Sequence, residues 1–215
     1  MSIKKVSILS IIIYFFTFFS PFFLVLISKN MLVPGVTFLY IISSCLMIFL
    51  YFTGKEPALI EQNSKLSSPV FMFLLGVSGI FLAMLLQGIV FSIESIFTGM
   101  PPSSQNTKKI IDVILKKPIF ILATTIAGPI MEEFVFRRSL LSLMQPYSGF
   151  WISAGISSAM FSIAHQDGHF FVYFCMGLFF CFLYKITGKI WTPIIAHCGM
   201  NALVVLAQLA VYYGS

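Results

Sequence analysis

Apolar residues in this chain fall into long runs rather than helical stripes, and polar residues collect between the runs. Seven runs can be marked, at about 6–27, 34–53, 69–97, 118–144, 150–166, 170–187 and 190–213. Each is long enough, or nearly so, to cross a hydrocarbon core of about 30 Å as a helix. Backbone N–H and C=O groups find no water there, so a helix must satisfy them internally. The alternation of a barrel strand is absent. The pattern predicts an all-α, polytopic transmembrane helix bundle of about 7–8 spans. The third run is overlong, which predicts a tilted helix or an interfacial turn. Two polar stretches punctuate the chain, 54–68 and 98–117. The second opens with Met100-Pro101-Pro102-Ser103-Ser104, and its later half, Lys108 to Lys117, is amphipathic and predicts a helix on the membrane surface. The main division falls here, between N-terminal transmembrane helices over 1–105 and a four-helix membrane core over 106–215.

Composition strengthens the membrane reading. Of 215 residues, 59% are apolar and 9% charged, where a soluble domain carries about 25% charged residues. The net charge of +6 would raise nucleic acid as a partner of a soluble protein. Here Lys4, Lys5, Lys29, Lys55, Lys65, Lys108, Lys109, Lys116, Lys117, Lys185 and Lys189 sit at the ends of runs, as contacts to the headgroups of a lipid bilayer do. They form no stripe with interleaved aromatics, so no nucleic-acid partner is expected. They also leave orientation undecided, with six flanking lysines on one side and five on the other. Cys45, Cys175, Cys181 and Cys198 lie inside apolar runs without a C-x-x-C, and read as buried, inert thiols. The first run follows Lys4 and Lys5 as in a signal peptide. It is too long for one and lacks a small-x-small cleavage site, so it reads as an uncleaved span.

Ionisable residues inside a span are expensive and mark function by default. Most charges here avoid the runs, and the exceptions read as a cluster in the C-terminal part. The fourth run holds Glu132, Glu133, Arg137 and Arg138. Glu133 and Arg137 are four apart in the favourable acid-then-base order, so Arg137 can neutralise and orient Glu133. Glu132 points about 100° away and is left without an intrahelical partner. One paired and one spare carboxylate suit a structural acid beside a catalytic one. The bland reading is a helix end with snorkelling charges, which the apolar residues continuing to Met144 disfavour. The fifth run ends at His165, with His169 four residues on. Gly168 between them argues against a continuous helix and a shared metal. The seventh run carries His197 and Asn201 on one helix face. Alone, each reads as readily as a packing or interhelical hydrogen-bonding residue.

Together, one Glu, two His and one Asn make a hydrolytic set. Glu accepts a proton from water, one His holds that water, and the other His and the Asn stabilise a tetrahedral oxyanion. Glu132, His165 and His197 can instead ligate Zn²⁺ with water in the fourth position. The residues leave both versions open. H-E-x-x-H and G-x-S-x-G are absent.

The pattern E-E-x-x-x-R, then F-x-x-x-H, then H-x-x-x-N on successive spans resembles the CPBP family of CAAX-type prenyl-protein endopeptidases and bacteriocin-processing enzymes, also called the Abi family. Here it reads Glu132 to Arg137, Phe161 to His165, and His197 to Asn201, flanked by Gly128-Pro129-Ile130-Met131 and by Trp191 to Ala196. It covers about 119–206, and residues 1–105 match only as generic membrane helices. The resemblance implies an intramembrane endopeptidase, often named a metalloprotease, acting on a membrane-associated peptide or protein. Carried over by position, Glu132 is the base and His165 shares its water. His197 and Asn201 form the oxyanion site, and Glu133 and Arg137 hold the helix geometry. Arg138 departs from the pattern, since a small Gly often follows the motif arginine. CAAX-box protein processing, peptide maturation and bacteriocin immunity are the roles the family offers. The Lys-, Ile- and Phe-rich composition suggests an AT-rich genome and a bacterial cell membrane. A non-catalytic scaffold or self-immunity protein is the competing class, and a proton relay or transporter a third, without an internal repeat to support it.

Overall fold

The computed structural model describes residues 1–62, 66, 68–101 and 104–214. Lys65, counted above among the flanking lysines, and Pro102 and Ser103 of the second polar stretch lie outside the described residues. All regular structure among the described residues is helical. In chain order it comprises α1 (Ile3–Ile27), α2 (Leu32–Thr53), the short α3 (Leu59–Gln62), α4 (Pro69–Thr98) and α5 (Gln105–Lys116). A long helical path follows, made of α6 (Phe120–Leu122), a π-wound segment Ala123–Ala127, α7 (Gly128–Glu132), a second π-wound segment Glu133–Leu141 and α8 (Ser142–His165). The last two helices are α9 (Phe170–Thr187) and α10 (Trp191–Gly214).

Local chemistry sets the ends. Ser2, Ser68 and Ser104 cap α1, α4 and α5 by accepting the N–H of Lys5, Phe71 and Thr107, satisfying donors a helix start leaves orphaned. Gly99 and Gly188 end α4 and α9 in the left-handed region, at φ of 69° and 60°, where glycine carries no Cβ penalty. Inside the span of α8, Gly149 has φ 73° and ψ 176° and breaks the helical path. The fourth and fifth apolar runs are therefore two rods meeting at Gly149.

Among the described residues, five helical stretches are long and apolar enough to cross a membrane: Ile3–Ile27, Lys29–Thr53, Pro69–Thr98, Phe170–Thr187 and Trp191–Gly214. Large apolar side chains such as Phe16, Leu26, Phe52, Ile96 and Phe97 are exposed on their outer surfaces, as lipid-facing positions are. α4 continues unbroken for 30 residues, about 45 Å at 1.5 Å per residue, so it exceeds the core thickness by length rather than by a turn.

Helices approach where side chains are small. Gly76 and Gly79 of α4 face Ile195 and Ala196 of α10, and Gly199 of α10 faces Ile80. These contacts rise together along both helices, so α4 and α10 run parallel. Gly177 of α9 lies against Ser158 of α8. Close backbone approach at small residues is how membrane helices gain packing without a hydrophobic drive between them. α5 buries Ile111 and Ile114 against Val205 of α10 and leaves Lys108, Lys109 and Lys116 exposed, the two-faced placement its pattern predicts.

Candidate active site

The π-wound path carries the charged residues inward. Glu133 and Arg137 are completely buried, with Arg137 Nη1 3.2 Å from Glu133 Oε1. The guanidinium makes no protein hydrogen bond among the described residues. Its charge is balanced by that carboxylate and by the face of Phe161, 4.2 Å from the ring centroid, a cation–π contact strengthened by desolvation.

The same Glu133 oxygen lies 2.8 Å from His197 Nδ1 on α10. With a carboxylate as acceptor, Nδ1 is the donor, and Nε2 is left to face the other way. Phe180 stacks on the imidazole at 4.6 Å and Phe161 meets it edge-on at 5.9 Å. Arg137, Glu133 and His197 thus form one buried chain whose free end is His197 Nε2. That atom is 3.7 Å from Glu132 Oε2, too long for a direct hydrogen bond. Glu132, without a partner on its own helix, finds this neighbour across the bundle, and its side chain keeps 21% exposure.

His165 is the last residue of α8. Its Nδ1 lies 2.8 Å from the Phe161 carbonyl, which can only accept, so Nδ1 holds the proton and Nε2 is a free acceptor. Tyr173 of α9 stacks on the ring at 3.9 Å. Asn201 Nδ2 donates to the Thr124 carbonyl at 3.1 Å, within the first π-wound segment. Such turns are frequent at functional sites.

These side chains surround two adjoining cavities. One, of about 350 Å³, is lined by Glu132, His165, Asn201, Tyr14 and Tyr40. The other, of about 90 Å³, is lined by His165, His197, Asn201, Tyr173 and Phe180. Thr124, Asn106 and Ile110 border both, so α5 roofs the pair. Counted along the sequence, His165 and His197 lie at different depths. The Phe161 ring spans the interval, 4.4 Å from the His165 ring and 5.9 Å from that of His197.

Three polar networks were not legible as such. Glu94, in α4, is buried and accepts from His169 Nδ1 at 2.9 Å and from the Phe171 N–H at 3.0 Å. This corrects the reading that charges inside the runs are confined to the C-terminal part, and it turns His169 toward α4 rather than toward a shared site with His165. Its signal was an acid lying between Ile93 and Ser95 with only apolar and hydroxyl neighbours. Arg138, the departure from the family pattern, is buried. Its Nε is 3.3 Å from Glu61 Oε1, which also accepts from Tyr184 Oη at 2.9 Å. The extra arginine therefore ties α3 to the π-wound path. Asp167 accepts from the Asn106 N–H and from Tyr173 Oη, each at 2.9 Å.

The donor types of Glu132, His165 and His197 are those of a His₂Glu zinc site, with Glu133 behind His197 as a supporting carboxylate. Their spacing is not: among the described residues, no three His, Cys, Asp or Glu side chains are grouped closely enough to hold one ion.

Apolar helices thus gather an acid, two imidazoles and a carboxamide around one pair of adjoining cavities. A family profile described as "Type II CAAX prenyl endopeptidase Rce1-like" matches residues 114–203. The chain is 38% identical over 167 residues to "Putative membrane peptidase YdiL" of Bacillus subtilis, covering 77% of this chain and 68% of that one. It is 31% identical over 220 residues to "Membrane-embedded CAAX protease MroQ" of Staphylococcus aureus, covering 94% of this chain and 89% of that one. No solved structure matches it significantly. The chain belongs to the Rce1-like (CPBP) family of CAAX-type membrane proteases, and is a multi-pass membrane enzyme.

Proposed function

We propose that the protein hydrolyses a peptide bond of a membrane-associated peptide or protein, using water activated by Glu132. The support is one geometric fact: Glu132 and His197 stand 3.7 Å apart beside connected cavities that His165 and Asn201 also line. In this reading water donates one hydrogen bond to the free Nε2 of His165 and its other proton to Glu132. The resulting hydroxide attacks the scissile carbonyl. The oxyanion is met by the second N–H of Asn201 and by His197 Nε2–H, with Glu133 accepting from Nδ1 of the same ring. Glu132 then returns its proton to the leaving amine. Glu133 and Arg137 fix the tautomer and direction of His197 and touch no substrate.

All these groups lie within 106–215, which we read as the catalytic core. The helices over 1–105 supply walls through Tyr14, Tyr40 and Gln87. We read the two rods meeting at Gly149 as further crossings, which gives seven. The bacterial relatives and the absence of a prenylated substrate in most bacteria favour maturation of a secreted peptide over CAAX-box processing. A Zn²⁺-dependent version is the second reading. It is favoured by the His₂Glu donor chemistry and disfavoured by the spacing of the three side chains.

The test is cleavage of membrane-anchored candidate peptides by purified protein in proteoliposomes. Glu132→Gln should lower kcat by roughly 10²–10⁴-fold, the usual worth of a positioned base. Full turnover by Glu132→Gln would overturn the peptidase mechanism and favour a scaffold or immunity role. Loss of activity on chelation, restored by Zn²⁺ alone, would select the metal version.

A further inference from the structure

Hydrolysis needs water, and the groups above lie among apolar helices. A second polar feature, which the mechanism does not use, adjoins the site. Behind His197 and Asn201, a cleft of about 170 Å³ runs between α4 and α10, lined by Gln87, Phe91, Ser104, Thr107, Lys108, Val204 and Gln208. Gln87, Thr107 and Val204 also line the smaller active-site cavity, so the two spaces adjoin across these three side chains.

The cleft follows from how the two helices pack. At their N-terminal halves Gly76, Gly79 and Gly199 bring α4 and α10 into contact, where an added Cβ would crowd the side chains of Ile195, Ala196 and Ile80 respectively. Beyond them no glycine faces the partner, and longer side chains line the space between the helices, Gln87 and Phe91 from α4 and Val204 and Gln208 from α10. Gln208 is seven residues beyond Asn201, so it shares the face of α10 that carries the active-site carboxamide. Two glutamines within spans are costly unless satisfied. The ordinary explanation is a hydrogen bond between helices. Among the described residues neither Gln87 nor Gln208 makes one, although both border the cleft. Water is the partner that fits a polar, roomy cleft of this kind. Lys108, Thr107 and the Ser104 cap of α5 complete its lining.

We propose that the α4–α10 cleft is the aqueous passage to the active site, separate from the broader cavity beside α1 and α2, with Gln87 and Gln208 as its hydrated lining. The inference rests on the reading of the cavity as hydrolytic only for its purpose. The experiment needs no activity, so the two can fail independently.

Single cysteines are introduced by Gln87→Cys, Val204→Cys and Gln208→Cys in the full-length protein, in membranes open on both faces. A small, membrane-impermeant cationic methanethiosulfonate is applied and labelling at each site is followed by mass spectrometry. Leu206→Cys, on the exposed opposite side of α10, and the native Cys45 on α2, which is exposed and not buried as its place in an apolar run suggested, are the lipid-facing references. The reacting species is the thiolate, which apolar surroundings suppress, so the cleft positions should label at least roughly tenfold faster than the references. Three positions guard against one variant failing to accumulate. Labelling of accumulated cleft variants no faster than Leu206→Cys would overturn the passage. Fast labelling with Glu132→Gln still fully active would leave the passage standing and remove the peptidase mechanism.

Discussion

Arg137 neutralises a carboxylate that has no access to water. Removing it by Arg137→Ala leaves Glu133 fully buried with only His197 opposite, the situation in which breaking a buried pair costs about 3–5 kcal/mol. The expected outcome is poor accumulation and a lowered unfolding midpoint in detergent. The double substitution Glu133→Met with Arg137→Met removes both charges and should recover much of that stability, since apolar replacement of a buried pair is often neutral or better. It should not recover turnover, because His197 Nδ1 then has no acceptor to hold it. A double variant as unstable as Arg137→Ala would show that packing, not charge, explains the cost. Asn201 makes a different prediction. Asn201→Ala should lower kcat by about 10²–10³-fold, the cost of losing one oxyanion donor, with a much smaller change in KM. An unchanged kcat would place Asn201 in interhelical bonding to Thr124 alone.

Between helices, the same substitution should have opposite consequences at two glycines. A Cβ at Gly177 would meet Ser158 Cβ at 2.7 Å and Ser158 Cα at 2.9 Å. The obstacle includes backbone, so α8 and α9 must separate, and Gly177→Ala should cost about 1–3 kcal/mol. Gly88, on α4, has nothing within 4 Å, and Gly88→Ala should be neutral or slightly stabilising in the same thermal assay. Equal effects would mean the α8–α9 approach is looser than these distances imply. Helix positions of this kind were readable from the apolar runs, and so were the motifs, because their residues are expensive in lipid wherever they occur. The π winding was not. Its turns depend on what neighbouring helices offer, such as Asn201 for the Thr124 carbonyl and Ser157 Oγ for that of Phe136. Nor could sequence pair Glu61 with Arg138 across 77 positions, or Glu94 with His169 across 75. Each partner alone looks like a loop charge or a stray polar residue. Arg138 breaks the family pattern, and its burial against Glu61 is intelligible only with α3 in place.

The bundle holds its two ends by different means. At the end carrying α3, Glu61 gathers Arg138 and Tyr184 into one buried network. At the end carrying α5, the roof over both cavities hangs on Asp167, which sits in the connection directly after His165. One of its oxygens takes the Asn106 N–H and the other the Tyr173 hydroxyl. Tyr173 in turn is the ring stacked on His165. Asp167 therefore couples the position of the roof to the orientation of an active-site imidazole. α5 has few other polar ties, and its buried contacts are confined to the cluster around Ile111, Ile114 and Val205. Asp167→Ala removes two charge-assisted hydrogen bonds, each worth about 1.5–3 kcal/mol, so α5 should open locally well before the bundle unfolds. Amide exchange over 105–116 should quicken by at least roughly tenfold, which corresponds to a loss of about 1.4 kcal/mol of local protection, while exchange in α4 and α10 stays as in the parent protein. If exchange rises equally throughout, Asp167 supports the whole bundle rather than its roof. If α5 alone loosens, substrates too large for a closed cavity gain a route to Glu132, and the ratio of turnover on long to short peptides should rise in the same variant.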